Sequence, residues 1–407
     1  MSKLDELIRE LCPEGVEYKT LGEIGKFYGG LTGKSKKDFE DGNEVFITYK
    51  NVYSNPALDI YPNDKVKIAD GEKQRTLEYG DIVFTGSSET PDECGFSSVV
   101  TRKPGRKLYL NSFCFFFRLD NPKVLLPDFS KHLFRSSELR IQIGKTASGV
   151  TRYNVSKDKM AKVEIPLPPL EVQREIVRIL DNFTNLTAEL TAELTARKAQ
   201  YSHYRDKLLS YTSTAQMEKL GDTCEMKAGK AIASSLISDE CTEETPIKCY
   251  GGNGVRGYVK NANENGSYPI IGRQGALCGN VKYEEGQFYA TEHAVVVKPK
   301  EKYNPRFLYH LLTNMNLNQY KSAGAQPGLA VKNIAELVAP VPPLNVQNRI
   351  VNVLDNFEKI CSDLNIGLPA EIEARQKQYE YYRDKLLTFA ETGNTILSRA
   401  EQSRAEH

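Results

Sequence analysis

The sequence predicts an α+β protein in which two mixed α/β domains are joined by two long helices that form an antiparallel coiled coil with pseudo-twofold symmetry. Three observations predict this fold. A segment of about forty residues occurs twice in the chain. A block rich in β-forming and turn residues precedes each copy. Within both copies, apolar residues recur at helical spacing.

The repeat is visible at its start, its middle and its end. Pro166–Gln173 returns as Pro340–Gln347, and both copies continue into Leu-Asp-Asn-Phe, at 180–183 and 354–357. Both end on Tyr-x-x-Tyr-Arg-Asp-Lys-Leu-Leu, at 201–209 and 379–387. A chain built as unlike block, repeat, unlike block, repeat is a bivalent protein with two different heads. We predict that the first domain covers 1–165, the first helical spacer 166–211, the second domain 212–339, the second helical spacer 340–390, and a C-terminal tail 391–407.

Composition limits the class of protein. The chain has 407 residues, 40% hydrophobic and 26% charged, which is long enough for two or three domains with their own cores. Its 54 Lys and Arg against 53 Asp and Glu give a net charge of +1. This balance argues against a protein that coats nucleic acid by bulk attraction, although local basic faces remain compatible with it.

The sequence also gives an expected compartment. The first ten residues are too charged for a secretory signal, and no apolar run approaches the length that spans a bilayer. We therefore expect a cytoplasmic protein that does not enter a membrane. The eight cysteines contain no C-x-x-C pair, and we expect them to be reduced.

The two heads show the same order of predicted elements. The first opens with a helix over residues 2–11 and contains strands and a late helix. The predicted strands are Glu44–Tyr49, Asp81–Thr85 and Phe113–Leu119, and the helix is Pro127–Ile143. For the second head, the predicted strands are Tyr268–Ile271, Gly279–Tyr283 and Ala294–Val297, and the helix is Pro305–Leu317. This order indicates two copies of one fold that diverged to bind different targets.

Each repeat is predicted to be helical. The prolines at 166, 168 and 169 cannot lie inside a helix, so the first helix should begin after Leu170. About forty residues at 1.5 Å each give roughly 60 Å. The apolar stripes could be ordinary core within each domain, but helices this long with a narrow seam usually pack on each other, which favours the antiparallel coil. Gly367-Leu368-Pro369 predicts a break in the second copy that the first lacks.

The first repeat contains a smaller repeat of its own. Residues 186–197 read as the unit Leu-Thr-Ala-Glu in tandem, with the third copy ending in Arg197. Each unit adds about 6 Å and about 40° of rotation to a helix, so the tandem is a candidate spacer of adjustable length. The alternative is that Leu, Ala and Glu recur because they are good helix formers.

No catalytic motif is recognisable. Gly29–Ser35 resembles a P-loop, but Tyr28 stands where the motif needs its first Gly. The five histidines show no metal-binding spacing, and the chain has neither a G-x-S-x-G elbow nor the Asn-Pro-Pro-aromatic motif of a base methyltransferase. We expect a chain that is not an enzyme on its own and that binds no cofactor or metal.

Polar, Gly-rich loops are what remain as candidate binding surfaces. They are Thr85–Thr90 in the first head, with 250–257 and 271–275 in the second. Glycine lets the backbone approach a ligand, and Arg, Asn, Gln and Ser are side chains that contact base edges or phosphates. Tight turns use the same residues, so the pattern alone leaves both interpretations open.

These motifs together resemble one family. The Pro-rich start of the repeats, the Leu-Asp-Asn-Phe and Tyr-Arg-Asp-Lys-Leu-Leu segments, the tandem and the loops of both heads are similar to those of type I restriction-modification specificity (S) subunits. The resemblance implies that each head is a target recognition domain for one half of a bipartite, asymmetric DNA site, and that the helices set the gap. It implies two methyltransferase (M) subunits and restriction/translocase (R) subunits as partners. S-adenosylmethionine, ATP and Mg would be bound by those partners.

On this resemblance, specific loop residues become candidates for DNA contact in the major groove, beside an adenine that the M subunits flip out. The DNA-binding candidates are Ser87, Ser88, Glu89, Thr90, Arg152, Asn253, Arg256, Arg273 and Gln274. Arg152 lies in loop 148–153, and loop 325–328 is its predicted counterpart. The alternative function is a non-catalytic bivalent protein-binding scaffold; a standalone enzyme is a third, weaker interpretation.

Overall fold

The computed structural model describes residues 2–210, 215–323, 327–362 and 367–389. The chain divides into two compact units. Unit 1 consists of the described residues of Met1–Glu189 and Ile372–His407, and unit 2 consists of those of Leu190–Glu371. The predicted C-terminal tail, 391–407, lies outside the described residues.

The helices of the described residues alternate with short strands in both units. They are α1 (Lys3–Leu11), α2 (Leu21–Ile24), α3 (Tyr49–Ser54), α4 (Pro127–Leu133), α5 (Ser137–Gly144), α6 (Lys157–Met160), α7 (Leu170–Ser210), α8 (Leu220–Thr223), α9 (Pro305–Asn314), α10 (Val331–Ala335), α11 (Leu344–Ser362) and α12 (Leu368–Leu387). The helical part of the first repeat is thus one helix, α7, and the described helical part of the second repeat lies in α11 and α12. Helix α12 begins at the predicted Gly-Leu-Pro break.

The strands of unit 1 lie between residues 18 and 166. They are β1 (Tyr18–Thr20), β2 (Gly25–Gly29), β3 (Glu44–Ile47), β4 (Lys65–Val66), β5 (Ile82–Thr85), β6 (Ser87–Ser88), β7 (Ser97–Val99), β8 (Leu108–Leu110), β9 (Cys114–Leu119), β10 (Ala147–Ser148), β11 (Tyr153–Val155) and β12 (Glu164–Pro166). The strands of unit 2 are β13 (Gln216–Lys219), β14 (Cys224–Ala228), β15 (Ile247–Gly251), β16 (Gly254–Val259), β17 (Glu264–Gly272), β18 (Val281–Ala290), β19 (Ala294–Pro299) and β20 (Val338–Val341).

The two late helices are shorter than predicted. The single helix expected over Pro127–Ile143 is wrong, because the chain forms α4 and α5 with a break between them. Ser136 has an extended backbone (φ −64°, ψ 150°), and its hydroxyl donates to the Leu133 carbonyl at 2.7 Å. Helix α9 ends at Asn314 rather than Leu317, and Asn316 then adopts a left-handed conformation at φ 47°.

The central sheets of the two units have the same order. Unit 1 has β2-β9-β5-β7, and unit 2 has β14-β19-β17-β18 followed by β15 and β16. The registers also agree: Phe115 of β9 pairs with Phe84, as Val295 of β19 pairs with Ile271. The expectation of two copies of one fold is confirmed. Strands β17 and β18 extend beyond their predicted bounds. The prediction missed their paired outer halves because Glu and Gln residues there conceal the strand pattern.

A buried glutamine explains why the repeats begin with Pro-Pro-Leu-x-x-Gln. The Gln173 side chain accepts from the Leu126 amide at 2.8 Å and donates to the carbonyls of Val124 and Pro168 at 2.9 and 2.8 Å. In unit 2, Gln347 makes the same set with Asn304, Lys302 and Pro342, at 2.8, 2.8 and 2.7 Å. Each glutamine therefore fixes the late helix of its head to the long helix that follows.

A histidine–aspartate pair makes a second connection of this kind. His132 of α4 lies 2.8 Å from Asp181 of α7, and His310 of α9 lies 2.7 Å from Asp355 of α11. Both aspartates belong to the repeated Leu-Asp-Asn-Phe segment. Both histidines are buried, so each head is attached to its helix through a polar contact within the core.

Aromatic pairs join the two repeats within each unit. In unit 1, Phe183 of α7 stacks on Tyr382 of α12 at 5.2 Å between ring centroids. In unit 2, Tyr204 of α7 stacks on Phe357 of α11 at 5.7 Å. The first part of α7 thus contacts the end of the second repeat, and its last part contacts the beginning. This is the pairing order of antiparallel helices.

Within the described ranges, no helix is both long enough and apolar enough to cross a membrane.

Candidate functional site

In unit 1, the predicted loop continues directly from the central sheet. Strand β5 ends at Thr85, and Gly86 leads into β6, where Ser87 pairs with Asn154 and Ser88 with Tyr153 of β11. A side chain at Gly86 would place its Cβ 2.6 Å from the Phe113 carbonyl oxygen, so this crossing needs glycine.

Hydrogen bonds fix the polar side chains around β6. The Arg152 guanidinium donates to the Ser87 hydroxyl at 3.1 Å, and the Tyr49 hydroxyl donates to the Ser87 carbonyl at 2.8 Å. Glu93 accepts from the hydroxyls of Tyr53 and Ser88 at 2.9 and 3.1 Å. These bonds lower the pKa of Glu93, so it is a carboxylate at neutral pH.

These residues surround an open cavity of about 600 Å³, which we call the β6 cavity. Its lining consists of Tyr49, Lys50, Tyr53, Ser87, Ser88, Glu89, Glu93, Phe113, Thr151 and Arg152. Four of the predicted DNA-binding candidates, Ser87, Ser88, Glu89 and Arg152, therefore lie together in this lining. Thr90 does not line the cavity; it precedes the 3-10 turn at Pro91–Glu93.

Sequence reasoning missed the aromatic part of this lining. Phe113 was assigned to a strand, but β9 begins one residue later and the Phe113 side chain is 58% exposed. Tyr49 was likewise assigned to a strand, but it opens the short helix α3. A large aromatic residue beside Asn111 and Ser112, both turn formers, was the available signal for Phe113.

In unit 2, three of the four predicted residues, Asn253, Arg273 and Gln274, come together around the end of β17, and Arg256 lies apart from them. Gln274 forms a bridge with Gly328, and Asn253, in the turn between β15 and β16, accepts from the Asn280 amide at 3.2 Å. A Cβ at Gly252 would lie 2.6 Å from the Gln274 carbonyl oxygen, so this turn packs directly on Gln274. Arg256 lies along β16 and donates to Ser234 at 2.9 Å. Of loop 325–328, residues 325 and 326 lie outside the described residues.

The backbone shows that the two candidate loops occupy equivalent positions in their units. The Gly86 amide donates to the Phe113 carbonyl at 2.8 Å, as Arg273 does to His293 at 2.9 Å. Val155 then donates to Gly86 at 3.0 Å, as Leu329 does to Arg273 at 2.8 Å. By this register, Ser87 corresponds to Gln274 and Phe113 to His293.

A second correspondence lies at the end of the parallel strand pair. Ile47 of β3 pairs with Leu110, and Tyr250 of β15 pairs with Ala290. Three residues after Ile47 stands Lys50 of the β6 cavity, and three residues after Tyr250 stands Asn253. The same end of the same framework thus carries polar side chains in both units, but the side chains differ.

Buried polar atoms without a partner mark the unit 2 site. They include Arg273 Nε, Glu292 Oε2 and His293 Nδ1, which belong to two adjoining loop segments. A buried polar atom without a hydrogen bond costs about 1 to 3 kcal/mol. Such groups are rare in folded proteins. Glu292 and His293 are not among the residues that the sequence predicts for this site.

One cluster has the composition of a metal site. Side-chain atoms of His310, Asp355 and Glu358 lie within 4.8 Å of one another. However, the Arg306 guanidinium donates to Asp355 at 2.9 Å and to Glu358 at 2.6 Å. Because this cation already compensates both carboxylates, the cluster serves to attach α9 to α11.

Comparison with known proteins identifies the family. The model of the type I restriction modification DNA specificity domain matches residues 13–197 and 213–374. The chain is 47% identical over 225 residues to the specificity subunit of the type I restriction enzyme EcoprrI of Escherichia coli, covering 52% of this chain and 56% of that protein. It is 34% identical over 257 residues to the putative type I specificity subunit S.MpnORF365P of Mycoplasma pneumoniae, covering 60% of this chain and 94% of the relative. The match thus spans just over half the length of the first relative and most of the second.

Solved structures agree in fold. The S subunit of a type I restriction-modification system from M. genitalium superposes with a TM-score of 0.54 at 16% identity, covering 93% of this chain and 97% of that one. A chain of the type I R-M system, from work on its complex assembly and conformational transition, gives 0.60 at 17% identity, covering 92% and 98%. With two family matches that together cover most of its length, and with both units built on one framework, the chain belongs to the type I restriction modification DNA specificity domain family.

Proposed function

We propose that this chain is the DNA sequence-specificity subunit of a type I restriction-modification complex, and that each head binds one half of a bipartite, asymmetric DNA site. The observation that supports this most strongly is the register equivalence of the two sites. Ser87 and Gln274 stand at one position of a shared framework, and Lys50 and Asn253 stand at another. One framework with different side chains suits two readers of different half-sites.

We assign one role to each of the predicted segments. Residues 1–165 and 212–339 are the target recognition domains, and residues 166–211 and 340–390 form the spacer that sets the gap and docks two M subunits. R subunits complete the complex. The chain is non-catalytic, and S-adenosylmethionine, ATP and Mg belong to the partners. The relatives support this role, because they are named as specificity subunits of type I restriction enzymes. We expect the complex to act in the cytoplasm.

The side chains at the two sites suit base readout. Asn253 and Gln274 have the amide groups that pair with adenine, and Arg256 and Arg273 suit guanine or phosphate. Glu89, which is exposed at the rim of the β6 cavity, suits the amino group of cytosine. Ser87 is buried, and its hydroxyl accepts from Arg152, so its role is to position Arg152.

The test is a long-read methylation map of cells that hold the partner subunits, with and without this chain. We expect methylated adenines in one split sequence only when the chain is present. The purified chain should then prefer a duplex with that sequence over random duplex by at least about a thousandfold at fixed salt. A methylome that does not depend on the chain would contradict the proposal. Equal binding to both duplexes would favour the bivalent protein-binding scaffold.

A further inference from the structure

We propose that the β6 cavity of unit 1 takes one nucleobase of its half-site, turned out of the base stack, with the Phe113 ring against the face of that base. The inference rests on the proposed function and adds a specific mode of recognition to it. It concerns this head itself, and is separate from any base that a partner subunit would turn out for methylation.

Aromatic surfaces are the first argument. Tyr49 and Tyr53, on successive turns of α3, have their ring planes 16° apart and their centroids at 6.3 Å. Phe113 lines the same cavity with its side chain 58% exposed, and the Arg152 guanidinium lies 5.6 Å from its ring centroid. Bases stack on aromatic rings and on guanidinium planes in proteins that bind unpaired nucleotides.

The charges of the lining are the second argument. Lys50 and Arg152 contribute two positive charges, and Glu89 and Glu93 contribute two negative charges. The balance favours neither a bare anion nor a bare cation. A nucleobase is neutral, planar and carries both donors and acceptors, which matches a lining of rings with mixed polar groups.

The third argument is that the cavity is preformed. Its volume of about 600 Å³ falls in the usual range for small-molecule sites, about 300 to 1,000 Å³. The bond from Tyr49 to the Ser87 carbonyl and the two bonds to Glu93 fix its walls. A base can therefore enter without rearrangement of the head, and the binding energy is available to offset unstacking.

The second head differs at the decisive positions. By register, His293 stands where unit 1 has Phe113, and Gly252, two residues after Tyr250, stands where unit 1 has Tyr49. The turn that contains Gly252 packs on the Gln274 carbonyl. These positions in unit 2 thus have neither a phenyl nor a phenol ring, and the inference is confined to unit 1.

A fluorescent reporter tests the inference, because the chain contains no tryptophan. In the full-length chain, Phe113→Trp should fluoresce, and stacking on a base should quench it when the split-site duplex binds. Replacing each nucleotide of the first half-site by an abasic one should abolish the quenching at one position and leave affinity within about tenfold. Ile141→Trp is the control, since Ile141 is exposed on α5 and does not line the cavity; its signal should not depend on the abasic position.

Two further substitutions separate stacking from a merely structural role. Phe113→Tyr keeps the ring and should bind the split duplex like the wild type. Phe113→Leu keeps an apolar side chain without a ring and should weaken binding about tenfold to a hundredfold at fixed salt.

The outcomes distinguish the inference from the function on which it rests. Quenching that survives every abasic substitution, or a Phe113→Leu variant that binds like the wild type, overturns the cavity as a base site while the proposed function stands. A wild-type chain without preference for the split duplex overturns the proposed function and the inference together.

Discussion

At the scale of single residues, two polar contacts explain why the repeats keep their motifs. Gln173 and Gln347 satisfy backbone groups of the head and of the Pro-rich segment at once, and both side chains are buried. The pairs His132–Asp181 and His310–Asp355 connect the same elements. These residues attach each head to the helix that follows it.

Substitution of the buried glutamine tests this role. Gln173→Ala leaves the Leu126 amide and the Val124 carbonyl without partners, so we expect the free energy of unfolding of unit 1 to fall by about 2 to 4 kcal/mol. Urea denaturation followed by circular dichroism measures it. Lys73→Ala, at an exposed position of unit 1, should change the same free energy by less than about 0.5 kcal/mol. Equal effects of the two substitutions would contradict the role assigned to Gln173.

The histidine pairs predict a pH dependence of stability. Burial lowers the pKa of His132 and of His310, and the bonded aspartates oppose this only in part. The folded chain therefore stays neutral at these groups, whereas the unfolded chain takes up protons below the ordinary histidine pKa of about 6.5. Stability should be constant from pH 8 to 7 and fall from about 6.5 downwards, until the lowered pKa values are reached.

Thermal unfolding between pH 8 and 5.5 measures this effect, because most carboxylates stay ionised over that pH range. A chain with His132→Gln and His310→Gln should be less stable at pH 7.5, with a smaller loss on acidification. An unchanged pH slope in that variant would assign the loss to other groups.

At the scale of elements, the sequence predicted what periodicity and proline encode. The long helix from Leu170, the N-terminal helix and the central strands follow from apolar spacing and from the exclusion of proline from helix interiors. The break between α4 and α5 was not predictable, because it depends on the conformation of Ser136 within a continuous helical pattern. Of the residues that line the β6 cavity, the sequence singled out Ser87, Ser88, Glu89 and Arg152 but neither Lys50 and Glu93 nor the aromatic rings. Tyr49 and Phe113 join it through strand pairing and chain turns that are not local in sequence.

The tandem of α7 makes a prediction for the same scale. The helix is continuous through residues 186–197, so deletion of 190–193 should remove about 6 Å and about 40°. If the helices set the gap, methylation mapping should show the two halves of the site closer by one or two base pairs, at about 3.4 Å per pair.

The matched control keeps the length and changes the sequence. Replacement of residues 190–193 by four alanines preserves the helix, so the gap should stay the same. If the gap does not change on deletion, or if it changes on alanine replacement, the tandem does not act as a spacer.

At the scale of the whole molecule, the chain combines one framework, used twice, with loops that differ. The shared strand order and the paired hydrogen bonds to Phe113 and His293 show the framework. Ser87 and Gln274, at equivalent positions, show the difference. The central claim is that these two sites read separate halves of one DNA sequence.

Exchange of one head tests that claim most directly. Residues 15–165 would be replaced by the corresponding segment of another family member, and the methylated sequence would be read by long-read sequencing in cells that hold the partner subunits. We predict that one half of the site changes, while the other half and the gap stay the same. A change in both halves, or in neither, would contradict the account.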